Sequence, residues 1–128
     1  MTEGGELRAI VADWTPTQAD FDAFAAISGD DNPIHVDPDF SAHTRFGRTV
    51  AHGMLLYSRL WAMVRATWPG RAHDVQTLMF PNPSFAGERL RLMVVPGEDG
   101  VIAMRITRIA DGAVTLEGSC RLMPGGPS

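Results

Sequence analysis

Two residues in the segment Ser28-Gly29-Asp30-Asp31-Asn32-Pro33-Ile34-His35 have the types and the spacing for proton chemistry. Asp30 and His35 stand five positions apart within one tight turn. A carboxylate and an imidazole held in this relation can hold one water between them. That suits adding water to a double bond, or removing it. Histidine is the natural general acid and base near neutral pH. The turn restricts where both side chains point. Gly29 is a fitting helix stop, and Pro33 pushes Asn32 out of the helical region. Turn composition alone favours a blander reading, with Asp30, Asp31 and Asn32 as turn formers and His35 as a surface residue.

A second segment, Ala51-His52-Gly53-Met54, opens a long apolar stretch. A glycine at a helix N-terminus exposes a backbone N–H with the positive end of the helix dipole behind it. With no side chain, Gly53 also lets a ligand approach the backbone closely. Such a donor can hold a carbonyl oxygen that gains negative charge. Taken alone, Gly53 reads as an N-cap or a packing glycine.

The elements that must position these residues follow from periodicity. Leu7 to Trp14 reads as a short first strand. Thr15-Pro16 supplies an N-cap and a proline at the first helical position. The helix so opened runs to about Ile27, with Phe21, Phe24, Ala25 and Ile27 as its apolar side. Asp37-Pro38 repeats the cap-plus-proline pattern and opens a short helix reaching about Arg45. Gly53 to Trp68 forms the second major helix, ended by Pro69-Gly70. Its polar positions within Met54–Trp68 are Ser58, Arg59, Arg65 and Thr67, the pattern of a helix enclosed on most sides.

The pattern then changes to period two. A short strand is expected near Gln76–Phe80. Leu90, Leu92 and Val94 alternate with polar or wet positions, as do Ile102, Met104 and Ile106. Val114, Leu116, Gly118, Cys120 and Leu122 share one side of the last strand, with Thr115, Glu117, Ser119 and Arg121 on the other. Glu98-Asp99-Gly100 and Asp111-Gly112 are turn-like. One strand, then helices, then consecutive antiparallel strands make an α+β chain. A sheet curling around the apolar helix is the economical way to bury its single apolar face.

The 128 residues fit one domain, 1–128, with a tail at 124–128 expected to be disordered. A formal net charge of −4, with no cluster of Lys and Arg, argues against a nucleic-acid surface. No apolar run is long enough to span a membrane, and Met1 to Gly5 reads as no signal peptide. The single cysteine, Cys120, rules out an internal disulfide and fits a reducing compartment. The expected location is the cytoplasm. Cys120 reads as packing and the seven methionines as core filler. No metal and no cofactor are expected. His43, His52 and His73 show no ligand spacing with His35, and Asp30-Asp31-Asn32 lacks the glycine and terminal glutamate of a calcium loop.

Ser28–His35, then Phe46-Gly47-Arg48-Thr49-Val50-Ala51-His52-Gly53-Met54-Leu55, resembles the MaoC-like, R-specific enoyl-CoA hydratase (hydratase 2) family. A third segment, Phe80 to Glu88 with Pro83 and Phe85-Ala86-Gly87-Glu88, looks like that family's strand-loop-strand passage. The resemblance spans roughly Phe21 to Leu122. It implies a hot-dog fold, in which an antiparallel sheet wraps a long central helix. It also implies a homodimer with acyl-thioester sites near the subunit interface. Asp30 and His35 then match the catalytic pair, and the Gly53 N–H matches the oxyanion hole. The implied reaction is syn hydration of a trans-2-enoyl-CoA to an (R)-3-hydroxyacyl-CoA.

Asn32 and Gly53 are the candidate substrate-binding residues, with Trp61 as a candidate pocket wall. Some relatives carry a small polar residue where an ungapped reading puts Trp61. A bulky ring there either reshapes the acyl pocket or points into the core. Arg45, Arg48, Arg71 and Arg89 are candidates, on charge alone, to meet the phosphates of CoA. Three rival readings remain: a dehydratase acting on acyl-carrier-protein thioesters, a hot-dog thioesterase, and a non-catalytic thioester-binding subunit.

Overall fold

The computed structural model describes residues 9–124. Five strands form one antiparallel sheet: β1 (Ile10–Trp14), β2 (His73–Met79), β3 (Leu90–Pro96), β4 (Val101–Arg108) and β5 (Val114–Leu122), in the order β1-β3-β4-β5-β2. Four helices precede β2: α1 (Gln18–Ser28), α2 (Pro33–Val36), α3 (Pro38–Ala42) and α4 (Gly53–Thr67). The sheet wraps α4, which is the hot-dog arrangement expected from the sequence.

Register explains the core. The pairs Leu92↔Ile106, Val94↔Met104, Ile106↔Leu116 and Ile102↔Cys120 put the apolar residues of β3, β4 and β5 on one face. Leu56, Leu60 and Val64, four residues apart on α4, pack onto that face. Cys120 is buried there as a packing residue, and burial pushes its thiol pKa up. At Gly118 a Cβ would overlap the Thr77 carbonyl oxygen, so β2 and β5 fit together only around a glycine.

Several expectations need correction. The N-cap of α1 is Thr17, not Thr15. The Thr17 hydroxyl accepts the Asp20 N–H while the Asp20 carboxylate accepts the Thr17 N–H, a reciprocal box that outcompetes the Thr15-Pro16 start. Ile27 is 85% exposed. At 3.6 residues per turn it lies roughly 120° around the helix from Phe21. The first strand begins at Ile10, Leu7 and Arg8 lying outside the described residues, as do residues 125–128 of the expected tail. Within the expected Asp30–His35 turn, residues 33–36 form one turn of helix, and α3 stops at Ala42 rather than Arg45.

Helix α4 is not enclosed within the chain. Leu55, Leu56, Leu60 and Val64 are buried, Met54 is exposed, and Tyr57 and Trp61 are half-buried. Strand β2 starts at His73, earlier than expected, and carries exposed Val75 and Met79. Thr115, expected on the wet side of β5, is fully buried. The register shifts there, Ile106 facing Leu116 and Thr107 facing Val114, so Thr115 is the extra residue of a bulge and turns inward.

Candidate active site

Local chemistry sets the turn that carries Asp30 and His35. Gly29 ends α1 in the left-handed region (φ 82°), its N–H donating to the Ala25 carbonyl. The Asp30 N–H then donates to the Ser28 hydroxyl at 3.1 Å. Asn32 caps α2 by accepting the Ile34 N–H, with Pro33 at the first helical position. One turn of helix thus carries His35 back toward Asp30, leaving the His35 Nε2 3.7 Å from the Asp30 Oδ2. That gap is too long for a direct hydrogen bond. One water within hydrogen-bond reach of both atoms would span it.

The chain between α3 and α4 clamps His35. The Val50 N–H donates to the Ile34 carbonyl at 3.0 Å, and the His35 Nδ1–H donates to the Val50 carbonyl at 2.8 Å. A carbonyl only accepts, so Nδ1 carries the proton in the neutral ring and the Nε2 lone pair faces Asp30. Gln18 ties the same parts to α1, donating to the His35 carbonyl at 2.8 Å and accepting the Thr49 hydroxyl at 2.7 Å. Val50 bridges to Phe85, and the Ala51 N–H donates to Ser84. The start of α4 is therefore fixed from two sides.

Sequence reasoning took only the glycine from the pair His52-Gly53. The structure adds His52. Its ring is 2% exposed and stacks on His35, with centroids 3.9 Å apart and planes 21° from parallel. The His52 Nε2–H donates to the Asp30 backbone carbonyl at 2.9 Å, while its buried Nδ1 has no partner among the described residues. Burial holds the His52 pKa below its ordinary value; the bond to Asp30 opposes this and the nearby His35 adds to it. His52 is accordingly neutral at pH 7.

Gly53 is the first residue of α4, and its N–H has no acceptor among the described residues. A Cβ here would meet the Phe80 ring at 2.8 and 2.9 Å, so a larger residue requires that half-exposed ring to shift. Asp30, His52 and Gly53 line one cavity of about 590 Å³, with Phe24, Phe46 and Phe80 among its apolar walls. His35 is not in that wall but touches it at Asp30 and His52. Buried Ser84 and Thr115 add hydroxyls, which the sequence did not single out.

Two candidates stand elsewhere. The Asn32 side chain is spent on its cap and does not line the cavity. Nor does Trp61: its ring lies 4.4 Å from that of His73 and 6.5 Å from that of Tyr57, packed against the core. Of the four arginines considered for phosphates, Arg48 pairs with Glu88, Arg89 with Asp13, and Arg71 bonds the Met123 carbonyl. Arg45 alone of these lines the cavity.

Asp30, His35 and His52 also offer possible metal-ligand atoms within 4.8 Å of one another. Stacked imidazoles send their in-plane lone pairs along nearly parallel planes. These do not converge on one ion at the roughly 2.0–2.1 Å that zinc requires. The arrangement suits proton transfer across one water better than chelation.

Comparison with known proteins places this geometry in context. The family described as the MaoC-like domain matches residues 3–117. The (R)-specific enoyl-CoA hydratase of Aeromonas caviae is 39% identical over 107 residues, covering 78% of this chain and 80% of that one. The mitochondrial 3-hydroxyacyl-[acyl-carrier-protein] dehydratase of Arabidopsis thaliana is 33% identical over 89 residues, 70% of this chain and 51% of that one. Among solved structures, the unliganded R-hydratase of Pseudomonas aeruginosa superposes with a TM-score of 0.82 at 28% identity, covering 94% of this chain and 81% of that one.

Proposed function

Because the chain belongs to the MaoC-like domain family, we propose that it is a hydro-lyase that adds water reversibly to trans-2-enoyl-CoA, giving (R)-3-hydroxyacyl-CoA. The observation that carries the reading is the Asp30–His35 pair, 3.7 Å apart, with the His35 Nε2 lone pair turned toward the carboxylate. The thioester oxygen sits on the Gly53 N–H, so negative charge develops against a fixed donor at the positive end of α4. Water held by Asp30 and His35 attacks C3. The pair takes one proton from that water and delivers one to C2 on the same face, a coupled titration that belongs to both groups. The sum is one H and one OH added across C2=C3.

The apolar part of the cavity holds the start of the acyl chain, and Arg45 stands where a phosphate of the carrier arm passes. We take the working unit to be a homodimer. Among the described residues β2 is an edge strand that pairs only with β5, and α4 carries exposed Met54 beside half-buried Tyr57 and Trp61. A cytoplasmic setting fits the lone free Cys120. No helix among the described residues is long and apolar enough to cross a membrane.

Hydration of a short trans-2-enoyl-CoA, followed by loss of the enoyl absorbance, tests the reading. Asp30→Asn and His35→Ala should each lower kcat by about 10²–10⁴ while the melting temperature holds. Wild-type turnover in either folded variant would sink it. The Arabidopsis relative motivates a second substrate in the same assay, an enoyl thioester on acyl-carrier protein. Higher kcat/KM on that substrate would transfer the activity to the carrier protein, and release of free thiol would indicate thioesterase chemistry.

A further inference from the structure

We propose that His52 is a positioning residue that sets the relation among the Asp30 carboxylate, the His35 imidazole and the Gly53 N–H; the catalytic part of this proposal rests on the function proposed above. Each link is a separate contact. The Nε2–H holds the Asp30 backbone carbonyl at 2.9 Å. One ring face covers His35 at 3.9 Å. The ring of Phe24 lies 4.8 Å away in a tilted contact, so His52 is confined by its neighbours. Finally, His52 is the N-cap of α4, so its backbone fixes the next residue, Gly53.

The other constraints on Asp30 are weak. Its side chain is 55% exposed, and its backbone N–H bonds only the hydroxyl of the neighbouring Ser28. The His52 bond joins positions 22 residues apart and is the tie between the catalytic turn and the start of α4 that acts directly on Asp30. A proton-transferring role for His52 itself fits poorly, because its Nε2–H is spent on a carbonyl and its Nδ1 is buried.

His52→Met and His52→Gln give the test, since the two side chains are similar in length and volume but only glutamine carries an N–H donor. His52→Met should lower kcat by about 10–100-fold, as expected for misplacement of about 1 Å, with KM within about threefold of wild type. His52→Gln should recover most of that loss. Without substrate, the NMR signal of the Asp30 carbonyl carbon should shift in His52→Met and return toward wild type in His52→Gln, because only glutamine restores the donor to that carbonyl. Wild-type kcat in His52→Met, or equal losses in two folded variants, would overturn the catalytic part. An unmoved Asp30 carbonyl signal in His52→Met, or a shift that His52→Gln does not reverse, would overturn the positioning itself, whatever the wild-type activity proves to be. A wild-type protein without hydratase activity, but with that signal shifting as stated, would instead count against the proposed function and leave the positioning intact.

Discussion

The Nδ1 of His35 lies 2.8 Å from the carbonyl oxygen of Val50, and this bond decides which nitrogen faces Asp30. Val50 is itself held by the bond from its N–H to Ile34, so the acceptor is rigid relative to α2. The neutral imidazole is therefore the Nδ1–H tautomer, with Nε2 as the proton acceptor. A long-range ¹H–¹⁵N spectrum of the free protein, at a pH where His35 is neutral, should show a protonated Nδ1 and a bare Nε2. The reverse assignment would remove the lone pair on which the water-holding geometry depends.

Gly53 and Phe80 form a second coupled pair. A methyl group at position 53 meets the Phe80 ring at 2.8 Å, yet Phe80 is 45% exposed and is the group with room to move. Gly53→Ala should cost about 1–3 kcal/mol, the usual range for overpacking. Adding Phe80→Ala should return most of that stability. A double-mutant cycle by urea unfolding measures the coupling. Strictly additive effects would mean that the ring is not what demands glycine.

The parts of the site legible in the sequence are those set by neighbours in the chain. Gly29, Asn32-Pro33 and the glycine start of α4 are local turn and cap signals that alone read as a surface turn and a packing glycine; it is their combination, matching the MaoC-like pattern, that singles out Asp30, His35 and Gly53. His52 is not singled out, because its bonding partner lies 22 residues away and its stacking partner 17. Thr115 was hidden by the β-bulge, which breaks the alternation that assigned it to the wet face. The uncovered side of α4 was hidden for another reason: apolar composition reports that a surface is to be buried, not whether its own chain buries it.

Of the two fates the sequence leaves open for Trp61, packing on the core is the one observed, while Phe24 lines the cavity, and substitutions separate the two residues. Trp61 packs on the core beside His73, whereas Phe24 is part of the cavity wall. Trp61→Ala should lower stability by about 1–3 kcal/mol, less than the loss at a fully buried tryptophan, and leave the acyl preference unchanged. Phe24→Ala should shift kcat/KM toward longer acyl chains. Profiles over enoyl-CoAs of increasing length read both effects. A change of preference in Trp61→Ala, with none in Phe24→Ala, would put the acyl chain along α4 instead.

The buried His52 also ties stability to pH, with a definite sign. Desolvation lowers its pKa in the folded protein below the ordinary value of 6.5, despite the opposing bond to Asp30 and the Asp30 charge. Below about pH 6.5 the unfolded chain binds a proton there that the folded chain refuses. This contribution is present in full above that pH and is lost as pH falls through the folded pKa. The loss approaches about 1.4 kcal/mol per pH unit where the two states differ by one whole proton. His52→Met removes the titrating group and keeps a side chain of similar bulk. Its urea midpoint should fall less than that of the wild type between pH 7 and pH 5. Parallel falls in the two proteins would assign the acid sensitivity to other groups and leave His52 without a measurable proton linkage.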